Sequence, residues 1–408
     1  MNRRCLTALI ANSPTVRIIH TSLFMFFCYL AIGLLLATLP GFVHLQLGLS
    51  PLWAGVVVGA QYLATLVTRP NAGRMADLIG SRKTVLLGQI AGLLSGLCLM
   101  VAAWLESKTL VCVAVLLLSR LILGCGESSV ATGSIAWGLG RVAPDYATQV
   151  ISWSGIASYS AMAAGAPFGI WLEARHGIGS IGATVSGLSL LSLAIALPLA
   201  GVPILRGTHL PFSKVLARVS RDGLGLALGT VGFAIIASFT TLFYASRHWS
   251  HANEVLVLFG SCFVLTRLLF ASAINRWGGF RVGMVSFVVE SAGLLVLFLS
   301  TTPDAALVGA ALSGTGFALV FPALGVEAVK TVTDQNRGSA LGLYTAFLDL
   351  AMGITGPIAG FIVGKFGYPA IFLYGSVAAA GAFVVTACFY YVVRERRTSQ
   401  SALGLSET

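Results

Sequence analysis

The chain has 408 residues, 57% of them hydrophobic and only 10% charged, with a net charge of +11. Soluble domains carry about 25% charged residues, so this composition excludes a soluble enzyme, while its apolar content excludes disorder and its long, non-alternating apolar runs exclude a β-barrel. The seven cysteines are an odd number without metal-ligand spacing, which excludes a disulfide scaffold and leaves a polytopic helical membrane protein.

Apolar stretches long enough to cross a bilayer fall at about 18–43, 52–72, 84–104, 109–137, 148–172, 178–203, 223–245, 254–273, 282–301, 305–331, 339–364 and 370–393. They predict twelve spans. Asn2-Arg3-Arg4-Cys5-Leu6 faintly resembles a twin-arginine signal, but no apolar core follows until about Leu23 and no small-residue cleavage site ends it, so a retained first span is expected. With the N-terminus in the cytoplasm, 18 of the 25 Lys and Arg residues fall on the inner side and four (Lys108, Arg175, Arg247, Lys365) on the outer. Three more, Arg69, Arg120 and Arg267, lie within spans. This bias places both termini in the cytoplasm, so the basic balance reports topology in a lipid bilayer and nucleic acid is not an expected partner.

The longest polar interruption, Arg206 to Arg221, separates six spans from six. The division is residues 1–205 as a first six-helix bundle, 206–222 as a cytoplasmic linker, 223–393 as a second bundle and 394–408 as a cytoplasmic tail. A helix on the membrane surface and an unstructured basic loop both fit the linker. The halves resemble each other: Thr68-Arg69 recurs as Thr266-Arg267, an offset that also pairs Asp77 with Asn275, Gly80 with Gly278 and Lys83 with Arg281. Ala166-Pro167 of span 5 recurs as Gly356-Pro357 of span 11. The expectation is an all-α membrane protein of twelve transmembrane helices in two pseudo-symmetric six-helix bundles.

Between spans 2 and 3 stands Gly73-Arg-Met-Ala-Asp77-Leu-Ile-Gly80-Ser-Arg82-Lys83. Gly73 allows close helix approach, Asp77 can face a helix N-terminus or basic side chains, Gly80 turns the chain, and Arg82 and Lys83 anchor span 3, so that the five form a candidate conformational latch. In span 4, Arg120 and Glu127 are seven residues apart, on one helix face and about 10 Å apart along the axis. Charges at membrane depth are costly and usually face a cavity or partner. Span 5 holds Gly155, Gly165, Pro167 and Gly169, a small-residue, bent helix suited to close packing, echoed by Gly356 and Pro357. Among the remaining intramembrane acids, Glu327 has Lys330 three residues on and reads as an ion pair, and Glu290 reads as structural. Asp349 stands near the bilayer centre with no base at i+3 or i+4, which makes it a candidate proton carrier.

The span 2–3 motif resembles the G-x-x-x-D-x-x-G-x-[R/K]-[R/K] signature of the major facilitator superfamily. The span-4 arginine followed by glycines and the span-5 glycine–proline run are similar to further patterns of that family, the latter to its antiporters, although Ala166 stands where glycine is usual. The strings Thr68-Arg69-Pro70, Gly314 to Gly325 and Phe347-Leu-Asp349-Leu resemble the YhhS/YfcJ branch of bacterial inner-membrane, efflux-type permeases. The resemblance implies a secondary transporter of a small organic molecule in a bacterial inner membrane, working by alternating access with both termini cytoplasmic and active as a monomer. No phosphate-binding G-x-x-x-x-G-K-[S/T] loop is present, so ATP is not the expected driver and no cofactor is expected. Protons are the expected coupling ion, with Asp349, Glu127, Arg120, Arg69 and Arg267 along the proton and substrate pathway. Efflux by antiport leads, and uptake by symport is the alternative. A sensor built on a transporter fold would add an output domain, for which the tail after Val393 is short. An intramembrane enzyme would need a nucleophile and base within reach, and the six histidines lie at span ends or in loops, so catalytic residues and a metal site are not expected.

Overall fold

The computed structural model describes residues 13–143, 146–203, 212–270, 272–332 and 337–402. Part of the expected linker (206–211), the basic N-terminal residues Arg3 and Arg4, and the end of the tail (403–408) lie outside the described residues. The helices are α1 (Pro14–Gly41, continued by a π-helical turn over Phe42–Gln46), α2 (Pro51–Leu78), α3 (Ser81–Trp104), α4 (Thr109–Arg141), α5 (Ala147–His176), α6 (Ile178–Ala196) and α7 (Phe212–Ser246). There follow α8 (Ala252–Phe270), a short α9 (Ala273–Trp277), α10 (Gly279–Leu299), α11 (Pro303–Phe317), α12 (Val320–Lys330), α13 (Arg337–Phe366) and α14 (Pro369–Ala402). Among the described residues, eleven stretches are long and apolar enough to span a membrane, with α11 and α12 together forming one of them. The twelfth expected span is α5, 30 residues long but diluted by serine, glycine and proline.

Local sequence sets the helix ends. Ser13 caps α1, its hydroxyl accepting the Val16 amide at 3.3 Å, and Pro14 occupies the first turn. Thr302 and Pro303 open α11 in the same way, Thr302 accepting from the Ala305 amide at 3.3 Å. Span 2 was expected to end near residue 72. Instead α2 runs to Leu78, because nothing in 73–78 stops a helix until Gly80, whose φ of 95° only glycine adopts readily. Gly278, 198 residues later, has nearly the same backbone (φ 83°, ψ 152° against 95° and 145°) and likewise opens a helix, α10. The repeated turn is thus conformational as well as sequential. Span 10 differs from expectation too, since it breaks at Ala318 and Leu319.

Two compact units emerge from the contacts. Unit 1 contains the described residues up to 203 with 237–257 and 353–365. Between helices in lipid the hydrophobic effect gives little drive, and small residues let backbones meet. In unit 1, α1 packs on α5 where a Cβ at Gly165 would stand 2.6 Å from the Leu30 carbonyl oxygen and one at Gly169 2.8 Å from that of Leu34. Gly126 of α4 meets Gly88 of α3, and Gly96 of α3 meets Gly182 of α6. Residues 353–360 of α13 meet the start of α2: Gly55 lies against the backbone of Gly356 and Pro357, Gly59 against Gly353, and Gly360 against Pro51 and Leu52.

Unit 2 contains 212–236, 258–332, 337–352 and 366–402 of the described residues. Its α10 packs on α11, α12 and α14, with Gly293 and Gly309 in backbone contact. The phenyl rings of Phe233, Phe259, Phe263 and Phe317 stack into one cluster, Phe233 lying 5.1 Å from Phe317.

Candidate functional site

The strongest polar site among the expected residues is in unit 1. Gly124 of α4 has no side chain where the backbone of Gln61 and Thr65 of α2 passes, so the two helices approach closely at that level. One turn on, Glu127 Oε2 accepts a hydrogen bond from Gln61 Nε2 at 2.8 Å and another from Thr65 Oγ1 at 2.9 Å. Gln61 and Thr65 are fully buried, and Glu127 is 1% exposed. Below them Thr68 and Ser128 join their hydroxyls at 2.8 Å, extending the α2–α4 polar seam.

Arg120, on the same helix and also 1% exposed, has no hydrogen-bond partner for any of its three guanidinium nitrogens among the described residues. It feels the fields of Tyr62 and Glu127 without forming an ion pair with either. Arg120 therefore acts on Glu127 through its field and not through a direct contact. Two helical turns separate the side chains, and neutral donors from α2 reach Glu127 instead. Sequence reasoning missed Gln61, Tyr62 and Thr65. The signal was present: an amide and a hydroxyl four residues apart, on one face of an apolar span.

Arg69 lies half-buried on α2 in unit 1. In unit 2, its repeat counterpart Arg267 sits on α8 with its guanidinium 5.2 Å from the Phe263 ring centroid. Asp349, 1% exposed on α13, belongs to unit 2; two residues before it, the Phe347 ring fills the space beside Gly223 of α7. Glu327 and Lys330 form the ion pair their spacing predicts, at 2.8 Å, and Glu327 also accepts the Gly279 amide at 2.9 Å.

The latch residues are drawn as an open turn. A Cβ at Gly73 would meet nothing within 4 Å, so the close approach expected there is not made in this structure. Asp77 is exposed, with no hydrogen bond or ion pair among the described residues. Gly80 turns the chain as its spacing predicts. Arg82 donates from Nη2 to the Leu197 carbonyl at the end of α6, where a cation complements the helix dipole, while Lys83 is exposed. Of the packing residues, Gly165, Gly169 and Gly356 sit in backbone contacts, and Pro357 meets Gly55 and Gly59. Pro167 lies half-buried within α5, and Gly155 has open space beside it and so contributes no close contact.

The sequence matches the model of the Major Facilitator Superfamily over residues 21–281 and 223–406. It is 49% identical over 391 residues to an MFS-type transporter of Burkholderia mallei (strain SAVP1), covering 96% of each chain. Its fold is similar to that of the D-xylose-proton symporter (TM-score 0.76, 14% identity, 91% of this chain and 97% of that one). It is similar too to that of the human organic anion transporter MFSD10 (TM-score 0.71, 18% identity, 92% and 100%). The chain is a multi-pass membrane transporter and belongs to the major facilitator superfamily.

Proposed function

We propose that the chain exports a small organic molecule across a bacterial inner membrane by alternating access, in exchange for protons. The observation that carries this reading is the α2–α4 site. A carboxyl held by Gln61 and Thr65 lies on one buried helix face with a guanidinium whose nitrogens have no hydrogen-bond partner among the described residues. Buried charge of this kind is costly, and in transporters it marks substrate and proton pathways. Arg120 offers several donors to an acceptor group on a substrate, with Glu127 close enough to sense the substrate's charge.

In this reading Asp349 and Glu127 exchange protons in turn with the two faces, and Arg69 and Arg267 lie on the same pathway. The turn from Gly73 to Lys83 latches one conformation, and the glycine contacts of α1–α5 and α2–α13 are surfaces that slide or part. In this reading both termini lie in the cytoplasm and the chain belongs with the efflux-type YhhS/YfcJ branch. A comparison of metabolite and drug accumulation in strains with and without the protein supplies the transported compound. Proteoliposomes with an imposed pH gradient then test the coupling. Uphill movement of that compound opposite to the proton flux is the expected result; movement with the protons makes the protein a symporter, and no response to pH removes proton coupling.

A further inference from the structure

Glu290 stands on α10, fully buried, and neither of its carboxyl oxygens has a hydrogen-bond partner among the described residues. Glycines of two neighbouring helices lie beside it, with the apolar side chain of Leu294. A Cβ at Gly232 of α7 would stand 2.7 Å from Oε1, so the carboxyl lies directly on α7. Gly316 of α11 has no side chain where the backbone of Glu290 passes. One turn along α10, Gly293 faces Ser313, whose hydroxyl is also buried and without a partner. The helix that carries Ser313 and Gly316 then breaks at Ala318 and Leu319, with Pro322 just beyond. Broken helices at membrane depth occur where backbone lines a polar site.

Among the described residues, no charged group forms a hydrogen bond or ion pair with this carboxyl. On α7 the acid Asp222 is ten residues from Gly232, about 15 Å along the axis. From α11 come Gly316 and Ser313; on α12, Glu327 and Lys330 pair with each other eleven residues past Gly316. From α14 comes Ser376, hydrogen-bonded to Ser291, the residue after Glu290. On α10 itself, Arg281 is nine residues away and donates to the Tyr390 hydroxyl at 3.1 Å. Burying a carboxylate without a donor or counter-charge among the described residues costs far more than burying the neutral acid.

We infer that Glu290 is a proton-binding site in unit 2, sealed in this conformation and opened when α7 and α11 slide over α10 on their glycine contacts. When open, the carboxylate takes one proton from water; sealed, it carries it as the neutral acid; reopened, it returns the proton to water. No other reactant is needed. The inference deepens the proton-coupling reading and rests on it for its role in transport.

The probe is the proton itself, read by infrared spectroscopy on the full-length protein in lipid nanodiscs. At pH 7 the carbonyl stretch of an un-ionised carboxylic acid is expected in the wild type, retained in Asp349→Asn and Glu127→Gln, and lost in Glu290→Gln. Glu290→Leu, which places an apolar side chain in an apolar site, supplies the same loss if the amide variant folds poorly. On transfer to D2O the band is expected to shift within minutes, since the site opens. Absence of an acid band assignable to Glu290 overturns the inference. So does a band that stays unshifted for hours, which makes the acid a fixed packing element. A band lost on replacing choline chloride with sodium chloride makes the site a sodium site and equally overturns it. None of these readouts needs a transported compound, so the coupling reading can fail in proteoliposomes while the Glu290 site stands, and the reverse.

Discussion

Gly55 and Gly356 leave no room for a side chain between them: a Cβ on Gly356 would stand 2.5 Å from the Gly55 carbonyl oxygen, and one on Gly55 would meet the backbone of Gly356 and Pro357. The contact continues for two turns through Gly59, Gly353 and Gly360. Gly55→Leu cannot be accommodated by a rotamer change, because the obstacle is backbone. Overpacking of this kind costs about 1–3 kcal/mol, which shifts a two-state conformational equilibrium by roughly 5–150-fold. The expected outcome is a properly inserted protein whose exchange rate in proteoliposomes drops and whose Cys-labelling near residue 55 rises. Gly155→Leu, at a glycine with open space beside it, should transport normally. Equal behaviour of the two variants would remove the α2–α13 contact from the mechanism.

The Glu127 site makes a stability prediction. Interhelical hydrogen bonds in membranes average about 0.6 kcal/mol and reach about 1.7, and an acidic acceptor belongs near the upper end. Gln61→Leu and Thr65→Val should each lower the thermal unfolding midpoint. In double variants with Glu127→Gln the two losses should shrink, since the partner they serve has changed. Additive losses would mean that Gln61 and Thr65 pack α2 on α4 without regard to the carboxyl.

For the turns, the backbone decides. Gly80→Ala and Gly278→Ala each force a side chain into a conformation costing about 1–3 kcal/mol, and both should lose stability in chemical denaturation. Gly73→Ala should not, because nothing lies within 4 Å of it. Asp77→Asn should leave folding unchanged and slow the transport cycle, because its charge has no partner in the conformation seen and can act only in another. Normal transport by Asp77→Asn would reduce the loop to a turn.

Coupling is tested at Asp349. Asp349→Asn keeps the shape of the side chain and fixes its charge at zero, so downhill exchange should survive while pH-driven uphill movement falls by at least about tenfold, the effect of 1.4 kcal/mol. Uphill transport equal to wild type would take Asp349 out of the proton path.

Much of the architecture could be read from composition and spacing. Runs of about twenty apolar residues have one stable backbone state in lipid, which is why the spans were legible. The repeat was legible because Gly80 and Gly278 serve a backbone need that no other residue meets. What stayed hidden depended on which helix passes which. Nothing in the sequence told that Gly124 brings α2 rather than α3 against Glu127, since Gly126, two residues on, brings α3. The surroundings of Glu290 could not be read either, because the glycines beside it, Gly232 and Gly316, come from two other helices. Gly73 was read as a packing residue because a glycine next to a helix end and one inside a contact look alike in sequence.

One consequence follows from the length of α2. The helix meets α4 at Gln61 and Thr65, the α13 backbone at Gly55, and the turn just past Asp77. With a rise of 1.5 Å per residue, the arm from Gln61 to Gly55 is about 9 Å and that from Thr65 to Asp77 about 18 Å. Pro70 stands inside the longer arm, where it removes a backbone hydrogen bond of the helix, so the two arms differ in stiffness as well as in length. The carboxyl of Glu127 is held between a short arm packed on glycine and a long one interrupted by proline.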